Sequence, residues 1–171
     1  MASQNSDSNY VLDAGAFYAG IPFLSSSGKY FTTQAVFNEV RHIKRSHAAI
    51  DTLLDSGNLQ IVAPSQDEID QVLITAKMTG DSTRLSKADI SILALALGLK
   101  KMTLMTNDYA IANVAIIMKI PIKFTSSNGI KETRKWITYC VHCSRSFSPD
   151  TKECPLCGNK LRRKYKKKAI T

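Results

Sequence analysis

The stretch TLMTNDYAIA, residues 103–112, places an acidic residue where a strand is predicted to end and a helix to begin. The residues before Asp108 favour a strand, and an apolar pattern with helical spacing follows it. An Asp at such a junction is an ordinary helix N-cap, worth about 1 kcal/mol over Ala. A functional interpretation therefore requires that other acidic residues reach the same place.

Short strands and longer helices alternate along residues 9–124. We predict strands at residues 10–12, 29–32, 59–62, 101–105 and 121–124, and helices that begin near residues 33, 46, 65, 86 and 108. The segment AGAFYAG, residues 14–20, is rich in small residues and is assigned to neither class. This alternation is typical of βαβ units, so we predict an α/β fold in which a parallel sheet lies between two helical layers.

Charge divides the chain into a neutral body and a basic C-terminal module. Residues 1–130 carry 11 Lys and Arg against 11 Asp and Glu, whereas residues 131–171 carry 12 against 3. Such asymmetry favours a polyanionic partner, and nucleic acid first. An acidic membrane surface is the rival partner, but the tail lacks the large apolar residues at helical spacing that insertion requires.

The chain is predicted to have five segments. They are a disordered N-terminus at residues 1–8, the α/β body at 9–124, a linker at 125–135, a cysteine module at 136–161 and an unstructured basic tail at 162–171. The longest apolar stretch, residues 90–99, has about half the length that a bilayer span requires. The first residues, MASQNSDS, lack the features of a secretory signal, so we expect a cytoplasmic protein with no membrane partner.

Four acidic residues from separate segments are predicted to meet at one edge of the sheet. Asp13 closes the first strand, and Asp108 follows the fourth. Asp89 lies in the first turn of one predicted helix and Glu39 in the second turn of another. In a parallel α/β sheet the carboxyl ends of the strands and the N-termini of the helices share this edge. Each acid also has a structural explanation, as a turn residue, cap or solvated helix face, but together they crowd like charges that a cation would neutralise.

An all-carboxylate site suits Mg²⁺ or Mn²⁺ better than zinc or copper. One ion, or two ions about 3.5 to 4 Å apart, would assist the hydrolysis of a phosphodiester. Thr106 and Asn107, which precede Asp108, either orient a water molecule or a phosphate oxygen in this reaction or only shape the turn. The sequence thus favours metal-dependent phosphodiester hydrolysis.

The remaining acids and histidines support no competing mechanism. Asp51 and Asp55 lie on a solvated helix face, Asp67, Glu68 and Asp70 lie in a first helical turn, and Asp81 lies in a loop break. His42 and His47 are five residues apart and do not share a helical face. Nucleophile-elbow, P-loop and dinucleotide motifs are absent from the sequence.

The four cysteines form two C-x-x-C pairs, Cys140 with Cys143 and Cys154 with Cys157, separated by ten residues. Each pair presents two thiolates to one ion, so the spacing predicts a structural zinc site with no open position. In a reducing cytosol a metal site is favoured over two disulfides. His142 is an alternative ligand that four cysteines make unnecessary.

Cations surround the predicted zinc site in excess of what four thiolates need. We therefore predict that the module binds phosphates with salt-sensitive affinity. The candidate RNA-binding residues are Arg145, Lys160, Arg162, Arg163 and Lys164. Trp136, Tyr139 and Phe147 either stack on bases or supply the small core of the module, and the second role is favoured.

The acidic blocks VLDAGAFYAG, FNEVR, SKADISILALAL and LMTNDYAIA resemble, in order and spacing, those of the PIN-domain nucleases. The cysteine segment, YCVHCSRSF with CPLCGNKLRR, extends the resemblance to the archaeal Nob family, endonucleases that trim the 3′ end of the small-subunit ribosomal RNA precursor. Together the resemblance covers about residues 9–163. One departure is that Ala14-Gly15-Ala16 follows Asp13, where many PIN domains have a Thr or Ser that supports the metal or phosphate.

The resemblance implies a PIN-like α/β/α body with a zinc ribbon and a Mn²⁺- or Mg²⁺-dependent endoribonuclease activity. The acidic set would be Asp13, Glu39, Asp89 and Asp108, with Thr106 beside them and zinc in the ribbon. The expected partner is precursor 16S ribosomal RNA in the pre-ribosomal particle, cut to leave a 5′ phosphate and a 3′ hydroxyl. Two alternatives stay open: a toxin-like PIN ribonuclease acting on other RNAs, and a non-catalytic RNA-binding assembly factor.

Overall fold

The fold is seen in a computed structural model that describes residues 9–24, 28–41, 47–99, 101–125 and 132–169. The N-terminal segment at residues 1–8 and His42 lie outside these ranges. The backbone of His47 is described but its side chain is not. In the described part of the chain, none of the helices has the length and apolar character needed to cross a bilayer.

Five short parallel strands form the central sheet. They are β1 (Tyr10–Leu12), β2 (Tyr30–Thr32), β3 (Leu59–Ile61), β4 (Thr103–Met105) and β5 (Ile122–Lys123). Their spatial order is β3-β2-β1-β4-β5, and each neighbouring pair is parallel. The inner strands β1, β2 and β4 are almost wholly buried, because helices cover both faces of a parallel sheet. The predicted α/β architecture is confirmed.

Within the described residues, seven helices accompany the sheet. They are α1 (Ala14–Tyr18), α2 (Ile21–Leu24), α3 (Gln34–Val40), α4 (His47–Asp55), α5 (Gln66–Thr79), α6 (Lys87–Gly98) and α7 (Tyr109–Ile117). Thr33 caps α3, and capping boxes begin α5 at Ser65 and α6 at Ser86. The sequence predicted these three helix starts because cap residues act locally.

Helix α6 explains the longest apolar stretch of the sequence. Residues 92–96 are all buried, and the helix is apolar on every side. A helix of this kind lies inside a core rather than on its surface. It packs against α3, α5 and α7 as well as β1 and β4.

Helices α1 and α2 were not predicted from the sequence. Both are short, and the Gly and Ala of AGAFYAG give no clear apolar period. Helix α1 forms because the Asp13 side chain caps it and because Ala16 and Phe17 are buried in the core. Tertiary packing supplies what the local pattern lacks.

The C-terminal part forms a second, antiparallel sheet in the order β7-β6-β8. Its strands are β6 (Glu132–Tyr139), β7 (Ser146–Phe147) and β8 (Arg162–Ala169). Strand β8 pairs with β6 along its whole length, from Tyr139 opposite Arg162 to Glu132 opposite Ala169. The expectation of an unstructured tail at 162–171 is therefore wrong for residues 162–169, and the end of the predicted linker belongs to β6. We call β6, β7, β8 and the two cysteine turns the ribbon.

The ribbon packs against the body where α5 ends. Gly80 ends α5 with φ of 79°, and a Cβ there would lie 2.6 Å from the Trp136 Cβ. The Trp136 indole donates to Asp81 Oδ1 at 3.0 Å, and the Arg163 guanidinium donates to the Gly80 carbonyl at 2.7 Å. Asp81, assigned from the sequence to an ordinary loop break, is fully buried in this contact. Trp136 thus joins the ribbon to the body. Neither role predicted for it, stacking on bases or filling the core of the module, includes this contact.

Candidate functional site

Asp13 lies at the end of β1 and is 4% exposed. Its Oδ1 accepts the Ala16 N–H at 2.7 Å and so caps α1, while its Oδ2 accepts the Thr106 hydroxyl. Burial raises the pKa of the Asp13 carboxyl, and the charges of Asp108 and Asp89 raise it further. Asp13 is therefore close enough to feel the charges of both Asp89 and Asp108, although the three come from separate segments of the chain.

Thr106 connects Asp13 to Asp108. It is fully buried, and its hydroxyl donates to Asp13 while accepting the Asp108 N–H at 3.0 Å. Thr106 thus contacts both Asp13 and Asp108 directly. Thr106 places beside Asp13 a hydroxyl that Ala14-Gly15-Ala16 does not provide. This hydroxyl comes from the residue after β4 rather than from the segment after β1.

Asp108 is the N-cap of α7, which is the structural role considered for it from the sequence. Its Oδ1 accepts the N–H groups of Ala110 at 2.6 Å and Ile111 at 3.1 Å. The side chain is exposed, and its Oδ2 has no hydrogen-bond partner among the described residues. Asp108 therefore keeps one carboxylate oxygen directed to solvent while the other holds its helix.

Asp89 is half-buried and completes the capping box of α6. Its Oδ2 accepts the Ser86 N–H at 2.7 Å, and its own N–H donates to the Ser86 hydroxyl at 3.1 Å. The hydroxyls of Thr33 and Ser91 lie 2.7 Å apart and join the start of α3 to α6. The sequence analysis did not identify this pair, because only the packing of α3 on α6 brings it together.

Glu39 is the fourth acid of the predicted set. It is exposed on α3, and no contact within the described residues joins it to the three aspartates. Asn107, the other predicted polar neighbour, donates to the Thr125 hydroxyl and accepts the Thr125 N–H at 3.0 Å. These bonds tie the turn after β4 to the end of β5, as the turn-shaping alternative predicted.

The aspartate edge fits a hard divalent cation. No Lys, Arg or His side chain in the described ranges lies within 4.0 Å of the carboxylates of Asp13, Asp89 or Asp108, so their charge is not balanced by the protein there. Carboxylate oxygens are ligands that Mg²⁺ and Mn²⁺ prefer. The three do not form a closed cage with donor atoms within 4.8 Å, as the cysteines do. A looser set suits an ion that keeps several of its waters.

The four cysteines form a tight cluster at the far end of the ribbon. Their Sγ atoms all lie within 4.8 Å of one another, and those of Cys140 and Cys157 are 3.5 Å apart. A tetrahedral site with Zn–S bonds of about 2.3 Å places sulfur atoms about 3.8 Å apart, so the cluster fits one zinc ion. His142 is not part of this group, as the four-cysteine assignment predicted.

Hydrogen bonds shift the pKa values of two of the four cysteines in opposite directions. The Asn159 amide donates to Cys157 Sγ at 3.3 Å and lowers the pKa of Cys157 to about 6. The pKa of Cys143 is raised to about 12, because its thiol shares a hydrogen bond with Cys157. A metal ion that binds all four sulfurs would displace the shared protons.

The predicted RNA-binding residues lie on two different faces of the ribbon. Residues opposite each other on β6 and β8 share a face, so Trp136, Tyr165 and Arg163 face the body. Arg162 and Lys164 alternate with them and face outward, and Lys164 lies 4.6 Å from the Tyr139 ring. Lys166, which was not among the predicted residues, shares this outward face.

A cavity extends the outward face to the cysteine turns. It has a volume of about 620 Å³ and is lined by Val141, His142, Asn159, Lys160, Leu161 and Arg162. Arg145, in the loop after the first cysteine turn, is also exposed. Of the five predicted residues, only Arg163 is committed to the body, through Gly80 and the Trp136 ring at 4.8 Å.

Known proteins share both parts of this chain. Residues 10–99 match the family described as the PIN domain of ribonuclease. Endoribonuclease Nob1 of Pyrococcus abyssi is 34% identical over 154 residues, which cover 89% of this chain and 91% of the relative. Endoribonuclease Nob1 of Methanocaldococcus jannaschii is 34% identical over 162 residues, with 94% and 79% covered. Ribonuclease VapC1 of Thermoplasma acidophilum is 31% identical over 159 residues, with 93% and 79% covered.

Substitution of Asp13 by Asn is expected to make the stability of the metal-free protein less dependent on pH. The folded protein holds the Asp13 proton to a higher pH than the unfolded chain, whose carboxyl ionises near about 4. Stability is therefore lost as pH rises from that value through the folded pKa, and an amide, which does not ionise, removes this loss. The amide has one acceptor oxygen for the two donors Ala16 and Thr106, so the quantity to compare is the slope with pH rather than the melting temperature at one pH. Calorimetry at several pH values measures the slope. A variant whose melting temperature falls with rising pH as steeply as that of the wild type would contradict the assigned burial cost.

Substitution of Cys154 by Ser is expected to remove zinc from the protein and to loosen only the cysteine turns. Native mass spectrometry should find one zinc ion in the wild type and none in the variant. Hydrogen exchange should lose protection in residues 140–161, because the thiolates hold those turns, while the body keeps its cooperative melting. Loss of cooperative melting in the body would refute this division of the fold.

Proposed function

This chain belongs to the PIN-domain endoribonucleases, the family that includes archaeal Nob1, and on that premise we propose that it cuts precursor small-subunit ribosomal RNA at its 3′ end. The enzyme class is a hydrolase acting on RNA. The observation that carries the proposal is the meeting of Asp13, Asp89 and Asp108 at one edge without a protein cation within 4.0 Å in the described chain. Like charges in that arrangement favour a bound divalent cation.

The three aspartates and Glu39 form the proposed catalytic set. Asp13 is oriented at both oxygens, by Ala16 and by Thr106, so it does not need to reorganise during the reaction. Asp108 offers its outward oxygen, and Thr106 holds the two acids in a common geometry. A bound Mn²⁺ or Mg²⁺ ion supplies charge stabilisation to the scissile phosphate.

The proposed reaction is hydrolysis of one phosphodiester bond. A water oxygen attacks phosphorus in line with the bond to the 3′ oxygen, and that oxygen leaves with a proton. The products are a 5′ phosphate on one fragment and a 3′ hydroxyl on the other. A divalent cation held at the acidic edge would place the anionic phosphate for this attack.

The outward face of the ribbon is the proposed RNA-binding surface. Arg162, Lys164 and Lys166 alternate along β8 at a spacing of about 7 Å, which suits successive contacts to a phosphate backbone. Lys160 and Arg145 extend the surface around the cysteine turns. A structural zinc ion would hold those turns, and a pre-ribosomal particle in the cytoplasm is the proposed setting.

The second candidate function is cleavage of other RNAs. It is favoured by the similarity to ribonuclease VapC1, which spans most of this chain and therefore does not stop at the body. The ribbon and its basic face favour a large structured RNA instead. Incubation with a mixture of RNAs distinguishes the two candidate functions, because the second predicts that RNAs other than the small-subunit precursor are cut.

Cleavage of a precursor RNA that spans the small-subunit 3′ end tests the proposed function. We expect one cut at the mature end with Mn²⁺ and none with EDTA. Asp13→Asn and Asp108→Asn should abolish the cut, since each removes a charge from the cation site, while RNA binding persists. Sequencing of the fragment ends measures the position. Full activity in either variant, or equal cutting of unrelated transcripts, would refute the proposal.

Paired substitutions on β8 test the RNA-binding face. The double variant Arg162→Ala with Lys164→Ala should weaken RNA binding in EDTA and reduce the salt dependence by about two counterions, because it removes two phosphate contacts. Its melting temperature should not change. The matched control, Arg163→Ala, should lower the melting temperature instead, because Arg163 faces the body. Equal loss of RNA affinity in the two proteins would refute the assignment of faces.

A further inference from the structure

Tyr109, the residue after Asp108, is held by the ribbon. Its hydroxyl donates to the Glu132 carbonyl at 2.7 Å, and the Arg134 guanidinium lies 4.2 Å from the centre of its ring. The first residue of α7 is thus clamped to the start of β6.

Asn113 makes a second connection one turn further along α7. It is fully buried, and its side-chain amide pairs with the backbone of Arg134. Nδ2 donates to the Arg134 carbonyl and Oδ1 accepts the Arg134 N–H, each at 2.8 Å. The side chain therefore takes the place of a neighbouring strand for this part of β6.

Asp81 joins these contacts into one buried polar group. Its Oδ2 accepts from Asn113 Nδ2 at 2.6 Å, and its Oδ1 accepts from the Trp136 indole at 3.0 Å. Asp81 and Asn113 are both fully buried. Undocking the ribbon would take the Trp136 indole from Asp81 and the Arg134 backbone from Asn113, so the docked position is specific.

We propose that Tyr109 and Asn113 are positioning residues that set the place of Asp108 from the docked ribbon. This rests on the proposed function, in which Asp108 belongs to the catalytic set. Asp108 Oδ1 accepts from the N–H groups of Ala110 and Ile111, so the carboxylate moves with the first turn of α7. That turn is attached to β6 on its other side. The ribbon accordingly has two separate roles: its outward face binds RNA, and its inward face orients a catalytic acid.

Two tyrosines provide a matched test. Tyr109→Phe removes the hydroxyl that bonds to Glu132 and keeps the ring beneath Arg134. Tyr165→Phe makes the same chemical change on β8, where the ring lies 4.5 Å from the same guanidinium and the hydroxyl has no hydrogen bond within the described residues. Each variant is compared with the wild type for kcat and KM on the precursor RNA, for RNA affinity in EDTA, and for Mn²⁺ binding to the RNA-free protein by calorimetry.

Tyr109→Phe is expected to lower kcat about tenfold at unchanged KM, since a small misplacement of a reacting group costs rate more than binding. Its affinity for Mn²⁺ should fall, while its RNA affinity in EDTA stays at the wild-type level. Tyr165→Phe should match the wild type in all four quantities. The proposal is overturned if Tyr109→Phe keeps wild-type kcat and Mn²⁺ affinity, or if Tyr165→Phe shows the same losses.

A second variant covers the case in which Tyr109→Phe does not fold. Trp136→Phe leaves Tyr109 and Asp108 unchanged, removes the donor to Asp81 Oδ1 and replaces the indole that packs on Tyr165 and Arg163 by a smaller ring. It should lower kcat and Mn²⁺ affinity in the same direction, and wild-type values would overturn the proposal. Failure of the proposed function has a different signature, namely a wild type that does not cut the precursor with Mn²⁺. The Mn²⁺ titrations of the two tyrosine variants still decide the role of Tyr109 in that case.

Discussion

Parallel pairing of β1 with β4 places Leu12 opposite Met105, and the acidic edge is built on that register. The residues that follow, Asp13 and Thr106, leave the sheet side by side, so the Thr106 hydroxyl reaches the Asp13 carboxylate. A shift of the pairing by one residue would turn these side chains to opposite faces of the sheet. Asp108 depends on the same register, because its N–H donates to the Thr106 hydroxyl.

The capping roles of the three aspartates are seen in the geometry, and their role at a cation site stays a prediction. Asp13 and Asp108 cap helices α1 and α7, and Asp89 completes the capping box of α6. A capping carboxylate lies where backbone N–H groups point outward, and the N-termini of helices in this sheet share one edge. Capping therefore collects the acids that a cation site requires. The cost falls on Asp13, whose burial disfavours its charged form.

The basic C-terminal strand serves two surfaces at once. Side chains along β8 alternate between the body and solvent, so neighbouring cations in the same run meet different environments. Arg163 packs on Trp136 and bonds to Gly80, whereas Arg162 lines the outward cavity. A stretch that reads in sequence as a uniform charge run is therefore a structural strand with one face packed on the body and the other exposed. The ribbon is a docked part of the molecule rather than a separate attachment.

Sequence by itself determined the elements whose signals lie within a few residues. The caps at Thr33, Ser65 and Ser86 identified three helices, the C-x-x-C spacing identified the cysteine cluster, and the strand ends identified the edge where Asp13 and Asp108 meet. Each of these depends on local backbone geometry or on a general property of parallel sheets.

Only the tertiary structure decided the roles of Asp81, Asn113 and β8. Asp81 reads as a loop residue because its partners are 32 and 55 positions away, and Lys-rich β8 reads as a solvated tail because its strand partner begins 30 residues earlier. The Thr33 contact with Ser91 likewise follows from the packing of α3 on α6. A local pattern cannot encode such contacts, since burial and pairing are created by segments that meet only after the chain has folded.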